Sequence, residues 1–267
     1  MPKPELIRSK LLGILLLSLV LLQAHALRAE QVRVQYLEGV THGFLVLRTL
    51  DGTVVASGDL IQSVQKDLVT TQLEIHFNDG SLHEETAVFS QRGSFRLWTD
   101  HMLEKGPTFK SPIEVWIDAR NGQVTIRDLK DGKDKSSTQH VDLPGDLANG
   151  IIFILVKNIP KGAQQTTVSM LAATPKPRVV KLTITGQGED TFLVEGTKRK
   201  ARHYLAKVEI GGAAGVVAPL VGKQPPDTHL WVLEGEAPTF LRAQGPLGGD
   251  TPVWRTELAS PVWPQSP

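Results

Sequence analysis

The chain has 267 residues, of which 29 are basic and 28 acidic, and it contains no cysteine. The net charge of +1 gives the chain as a whole no electrostatic reason to bind nucleic acid or an anionic membrane. The missing cysteine excludes disulfides, thiolate metal sites and cysteine nucleophiles, so a core must hold the fold unaided.

At the N-terminus Lys3, Arg8 and Lys10 precede an apolar run, Leu11 to Leu22, broken only by Gly13 and Ser18. Ala24-His25-Ala26 follows as a small-x-small cleavage signal. This order predicts a secretory signal peptide over residues 1–26, cleaved after Ala26, and a periplasmic or secreted protein. The run is shorter than the roughly 20 residues of a membrane span, although an uncleaved N-terminal anchor is the alternative. No cysteine stands at the cleavage site to take a lipid. Cleavage leaves 241 residues with a formal charge of −1.

The remainder reads mostly as strands. Gly43–Leu50, a turn at Asp51-Gly52 and Thr53–Ser57 form a predicted hairpin. From Val69 to Phe77, Val69, Thr71, Leu73, Ile75 and Phe77 share one face and Thr70, Gln72, Glu74 and His76 the other, a half-buried strand closed by Asn78-Asp79-Gly80. Leu82–Phe89, Phe95–Trp98, Ile113–Ile117 and Val124–Leu129 continue the series, with turns at Asn121-Gly122 and Asp131-Gly132. An antiparallel meander shows this spacing.

One segment differs. Pro144-Gly145-Asp146 leads into an apolar run that stops at Pro160, with Asp146 as candidate N-cap and Lys157 in the last turn. We expect a helix over about 146–158, although Gly150 and the β-rich core Ile151-Ile152-Phe153-Ile154 also suit a strand. A helix apolar nearly all round needs cover from the sheet. Further strands are expected at Gln165–Ala172, Arg178–Thr185, Thr191–Glu195 and His203–Ile210. Gly186-Gln187-Gly188 reads as a hairpin turn, and Gly211-Gly212 with Gly215 as a bend or bulge. From Pro219 onward the chain holds nine of its seventeen prolines, which predicts short edge strands and loops packed on the main body, then a disordered tail over 261–267. The domain plan is thus a main β domain over 27–218 and a Pro-rich extension over 219–267.

Chemistry-bearing motifs are few. His83-Glu84-Glu85 lacks the second histidine four residues on that a zinc-protease helix needs, because Ala87 stands there. A strand geometry in which His76 and Glu74 meet His83 and Glu85 is the remaining metal option; neither metal nor cofactor is expected. There is no Gly-x-Ser-x-Gly elbow. Asp100, Glu104, Asp118 and Asp128 are candidate acid/base carboxylates, defined only by their separation in space. The five tryptophans are Trp98, Trp116, Trp231, Trp254 and Trp263; strand tryptophans fill core or form ligand platforms.

Pro112–Leu129, the proline-preceded segment Pro144–Pro160 and a closing stretch with Gly235, Pro238, Phe240, Gly245-Pro246-Leu247 and Pro252-Val253-Trp254 resemble a group of exported bacterial β-rich proteins of unknown function. More distantly the chain is similar to periplasmic lipoprotein carriers of the LolA/LolB type, whose open curved sheet holds acyl chains beneath a helical lid. It departs from LolB in lacking the anchor cysteine. The resemblance implies an antiparallel sheet curved into a half-barrel or barrel, with one apolar helix as plug or lid. Ile151, Ile152, Phe153 and Leu155, with Trp98 and Trp116, would then line a site for an apolar or amphiphilic ligand. The partners to weigh are a lipid or amphiphile and a cell-envelope protein, with no nucleic acid. A hydrolase of envelope polymers using Asp100, Glu104 and Asp118, and an adaptor docking through residues 219–267, are the rival readings.

Overall fold

The computed structural model describes residues 31–130, 135–194, 196–210, 225–249 and 251–259. The leader, the Asp131-Gly132 turn, the Gly211–Gly215 bend and the 261–267 tail lie outside them. Among the described residues fourteen strands form one antiparallel sheet. They are β1 (Thr41–Arg48), β2 (Val54–Gln65), β3 (Leu68–Phe77), β4 (Leu82–Ser90), β5 (Arg96–Lys105), β6 (Ile113–Asp118) and β7 (Gln123–Asp128). Then come β8 (Lys135–His140), β9 (Gln165–Ala172), β10 (Arg178–Val194), β11 (Thr197–Glu209), β12 (Thr228–Leu233), β13 (Thr239–Gly245) and β14 (Trp254–Ala259). One short helix occurs among the described residues, α1 (Ile152–Lys157), between β8 and β9.

The spatial order is β8-β7-β6-β5-β4-β3-β2-β1-β14-β13-β12-β11-β10-β9. Two meanders, β1–β8 and β9–β14, are joined by the one long-range pair, in which Phe44 faces Ala259 and Arg48 faces Arg255. The expected curved half-barrel is present as an unclosed sheet. Register shifts at Leu47/Arg48, Val88/Phe89, Gly186/Gly188 and Trp231/Val232 bend it, as β-bulges do. Gly58 permits a further sharp approach of β2 to β3, since a Cβ there would stand 2.0 Å from the Glu74 carbonyl oxygen. Curvature brings the sheet's two ends together: Gln139 Nε2 of β8 donates to the Pro175 carbonyl in the β9–β10 turn at 3.0 Å.

The β3 alternation behaves as expected. Thr71, Leu73, Ile75 and Phe77 are buried, while Gln72, Glu74 and His76 are exposed. Apolar side chains therefore face inward and polar ones outward, the reverse of a lipid-facing barrel wall. No helix among the described residues is long and apolar enough to cross a membrane.

The 144–160 segment departs from expectation at its start. Asp146 is not a helix N-cap. Its carbonyl accepts from the Ser169 N–H at 3.2 Å and its carboxylate from Ser169 Oγ at 3.0 Å. Ala148 N–H donates to the Ser169 carbonyl at 2.8 Å, so Leu147 bridges β9 in parallel and covers that free edge. Gly150 then takes φ +66°, and only Ile152–Lys157 is helical, without a side-chain cap. Six residues cannot hold a helix alone. Packing holds this one: Ile151, Ile154, Leu155 and Val156 are buried, and α1 lies against β12 and β13, with Phe153 and Phe240 ring centroids 4.5 Å apart. Burial of each such side chain stabilises by roughly 2 kcal/mol.

The end of α1 is tied to the chain's first described residues. Asn158 Oδ1 accepts the backbone N–H of both Gln35 and Tyr36, at 2.9 and 2.8 Å, and Lys157 Nζ meets Glu38 Oε2 at 2.7 Å. Gln62 also donates to Glu38 Oε2, at 3.0 Å.

Two other expectations are corrected. Gly186-Gln187-Gly188 is a bulge inside β10, not a turn, so the two predicted strands on either side are one strand of 17 residues. The strands after Pro219 are not edge strands: β12, β13 and β14 stand mid-sheet between β11 and β1. The long β10–β11 arm is fixed to them, for Trp231 Nε1 donates to Asp190 Oδ2 at 2.7 Å and Phe192 packs edge-on against Trp231.

Candidate functional site

Two groups of polar and aromatic residues lie on opposite faces of β4–β7. The inner one follows from register. His83 stands opposite Glu104, Glu85 opposite Met102 and Ala87 opposite Asp100, so three carboxyls and an imidazole share the apolar face. His83 Nδ1 lies 3.1 Å from Glu104 Oε1, both side chains being 4% exposed. Burial raises the Asp100 carboxyl well above its ordinary value, and the neighbouring Glu85 charge adds to this. Burial also raises Glu85; His83 opposes that shift and Glu104 reinforces it. Asp100 Oδ1 is a buried oxygen with no hydrogen-bond partner among the described residues.

Such carboxyls are the raw material of acid/base catalysis, but this group is closed on two sides. A Cβ on Gly150 would stand 2.6 Å from Asp100 Oδ1 and 2.7 Å from the Ala87 Cβ. A Cβ on Gly248, in the β13–β14 loop, would stand 2.6 Å from both Glu104 oxygens. Backbone occupies the space where a substrate would approach. Asp118, the third carboxylate of the hydrolase reading, lies on the other face, held by Arg120 Nη2 at 2.9 Å. Hydrogen bonds from Arg120 keep its carboxyl below the ordinary value. Asp128, at the end of β7, is exposed. The four candidate acids therefore do not converge.

The proposed strand-based metal geometry fails for the same reason of facing. Ile75 is opposite His83 and His76 is opposite Leu82, so His76 and Glu74 point outward while His83 and Glu85 point inward. No group of three or more metal-ligating side chains occurs among the described residues.

The outer group is open. His101 is opposite Trp116 and Thr99 opposite Asp118; Trp116 is in turn opposite Thr125, and Asp118 opposite Gln123. The His101 and Trp116 rings are nearly parallel, 7° apart, with centroids at 4.9 Å. Glu114 fixes this pair by accepting from His101 Nε2 at 3.0 Å and from Arg127 Nη1 at 3.1 Å. Trp116, His101, Thr99, Asp118, Gln123 and Thr125 line a depression of about 290 Å³, which Asp100 and Ile117 also border. A second depression of about 370 Å³ runs from Asn121 to His140 and shares Gln123 with the first. Together they form a track across β5–β8. Trp98 flanks it at the β5 bulge, its ring 5.8 Å from the Arg120 guanidinium carbon.

The expected ligand-binding residues thus divide. Trp98 and Trp116 belong to the outer surface, whereas Ile151, Ile152, Phe153 and Leu155 pack on the inner side of the sheet. The structure does not bring them together. Period-2 counting alone foretells the division for Trp116, because its neighbours Val115 and Ile117 are the buried pair of β6. The inner acids carry no such signal. They sit at core positions of β4 and β5, whose sequences mix charged and apolar residues without a clean alternation.

No protein-family model and no curated protein matches the chain. Among solved structures the chain is similar to a β-barrel-like protein of a domain of unknown function, DUF1849, from Brucella abortus. The identity is 10% and the TM-score 0.47, over 84% of this chain and 98% of that one.

Proposed function

We propose that the protein is an exported, non-enzymatic binding protein of the cell envelope, that its 144–160 segment plugs the curved sheet, and that its ligand lies in the outer track across β5–β8. The observation that carries this reading is the parallel Trp116–His101 pair in an open, polar-rimmed depression. The volume is at the small end of ligand sites, which run from roughly 300 to 1,000 Å³. An aromatic face set among Asp118, Gln123 and Thr125 suits a polyhydroxylated ring, whose C–H face packs on the indole while its hydroxyls bond the rim. Continuation of the track past Gln123 suits a chain of such rings, as in an envelope glycan.

Carriage of an apolar or amphiphilic ligand inside the sheet requires the plug to leave, because Ile151, Ile154, Leu155 and Val156 already fill that space. An envelope hydrolase requires converging acids, and Asp100 and Glu104 face away from Asp118. The outer track needs neither change.

Calorimetric titration with soluble peptidoglycan fragments tests the reading. Binding that is lost on Trp116→Ala and kept in Ile152→Val supports it. No binding of any glycan fragment, or equal binding by wild type and Trp116→Ala, overturns it.

A further inference from the structure

Two imidazoles from neighbouring strands, β11 and β12, meet on the outer face of the sheet. His203 Nε2 lies 2.9 Å from His229 Nδ1, and on the other side of the ring His203 Nδ1 lies 3.4 Å from Asp190 Oδ2 of β10. Trp231 donates to the same Asp190 oxygen at 2.7 Å, and its ring stacks on His203, 13° from parallel with centroids 4.5 Å apart. A carboxylate only accepts, so His203 carries its proton on Nδ1. Nε2 is then an acceptor, and His229 Nδ1 donates to it. A chain of donors therefore runs from His229 through His203 to Asp190.

This chain tolerates one added proton but not two. A proton on His229 Nε2 leaves the Nδ1–H donating as before. The second proton has only His203 Nε2 to go to, and two N–H groups on charged rings then face each other across 2.9 Å. Burial holds His203 below its ordinary value of 6.5, His229 lowers it further, and Asp190 opposes the shift. Other charged groups share this face. Arg242 of β13, opposite Trp231, is engaged by Glu257 of β14 at 2.5 Å. Arg255 of β14 is opposite Gln244, which is opposite His229. Along β11, Arg199 and Lys207 take the His203 face by alternation, and Asp227 stands two residues before His229. Among the described residues, Asp190 is the acid within ion-pair distance of His203.

We infer that the Asp190–His203–His229 chain is an acid-released latch, which holds the β10–β11 arm over Trp231 while His203 is neutral and frees it once both imidazoles are charged. Closed, the latch keeps Trp231 only 8% exposed, with Phe192 of the arm edge-on against the indole and the Arg242 guanidinium 4.7 Å from the Phe192 ring. Opened, it uncovers that aromatic face. The folded chain resists a proton that the unfolded chain accepts. The latch's contribution to stability is therefore complete above 6.5 and is lost as pH falls from there through the lower folded value.

Nitrogen-15 NMR of the histidine rings and tryptophan indoles tests it. At neutral pH both His203 and His229 are expected as Nδ1–H tautomers. On acidification His203 is expected to titrate below 6.5 but above about 4, where Asp190 itself takes a proton. The Trp231 indole signal, identified by its loss in Trp231→Phe, is expected to shift in step with His203 as its bond to Asp190 breaks. His229→Gln removes the second charge, so the His203 midpoint is expected to move up towards 6.5. In His203→Gln, which cannot ionise, the Trp231 signal is expected to hold still over the same range. A His203 midpoint at or above 6.5, an Nε2–H tautomer of His203, or a ring that stays neutral down to about 4 overturns the inference. So does a Trp231 signal that does not follow His203, or that moves equally in His203→Gln.

Discussion

Gly150 rests directly against Asp100. No side chain fits between the backbone of the inner segment and that buried carboxyl, since a Cβ would come within 2.6 Å of Oδ1. Gly150 also holds φ +66°, a left-handed conformation. Gly150→Ala therefore combines backbone strain with a clash. Gly93 is the control, with φ +76° and open space around it. Gly93→Ala is expected to lose about 1–2 kcal/mol through strain alone. Gly150→Ala is expected to lose roughly 2 kcal/mol more, as overpacking of a filled interior does. Urea denaturation of both variants measures the difference. Equal losses would mean that the segment is free to move off the sheet.

Asn158 joins the end of α1 to the chain's first described residues. It is fully buried, and its side chain accepts the Gln35 and Tyr36 N–H groups while donating to the Ile154 carbonyl at 3.1 Å. Removing it strands two backbone donors and one acceptor. A group left without a partner costs about 1–3 kcal/mol, so Asn158→Ala should lose at least about 2 kcal/mol in the same denaturation experiment. A loss below about 0.5 kcal/mol would show that water replaces these bonds freely and that the tie is not part of the folded core.

Asp100 makes stability depend on pH in a direction opposite to that of an ion-paired carboxylate. Burial raises its carboxyl well above the ordinary value of 3.8. The folded chain therefore keeps a proton that the unfolded chain has released, and unfolding gives up that proton. The stabilising contribution is complete below the unfolded value, falls as pH rises from about 4, and is gone once the folded group also ionises. Asp100→Asn cannot ionise and keeps nearly the same shape. Its melting temperature relative to wild type is expected to climb with pH through this window. A difference that stays constant from acid to neutral pH would contradict the buried, protonated state.

Much of the sheet is legible from residue pattern. Alternation in β3 and the Asp-Gly and Asn-Gly steps follow from local chemistry, and β1, β3, β4, β6 and β7 fall close to their expected places, whereas β2 and β5 run past the expected Ser57 and Trp98 to Gln65 and Lys105. What is not legible depends on distant partners. The pairing of β1 with β14 joins residues about 200 positions apart, and only that pairing places β12–β14 mid-sheet despite their prolines. Likewise Asp146 has the residue type of a helix cap, yet the unpaired edge of β9 takes its carbonyl and carboxylate first. The buried Asp100 and Glu104 were visible as carboxylates but not as neighbours of Glu85 and His83, because register, not sequence distance, brings them together.

The central claim is that residues 144–160 are a fixed filling of the curved sheet, leaving the outer track as the place where a ligand binds. Native-state hydrogen exchange measures this directly. Ala148 N–H is bonded to the Ser169 carbonyl, Leu155 N–H to the Ile151 carbonyl and Asn158 N–H to the Leu155 carbonyl. These three amides should exchange as slowly as those of Leu73 on β3 and Val115 on β6, through global unfolding. If they exchange faster by orders of magnitude while the strands stay protected, the segment opens as a lid over an interior site and the account is wrong.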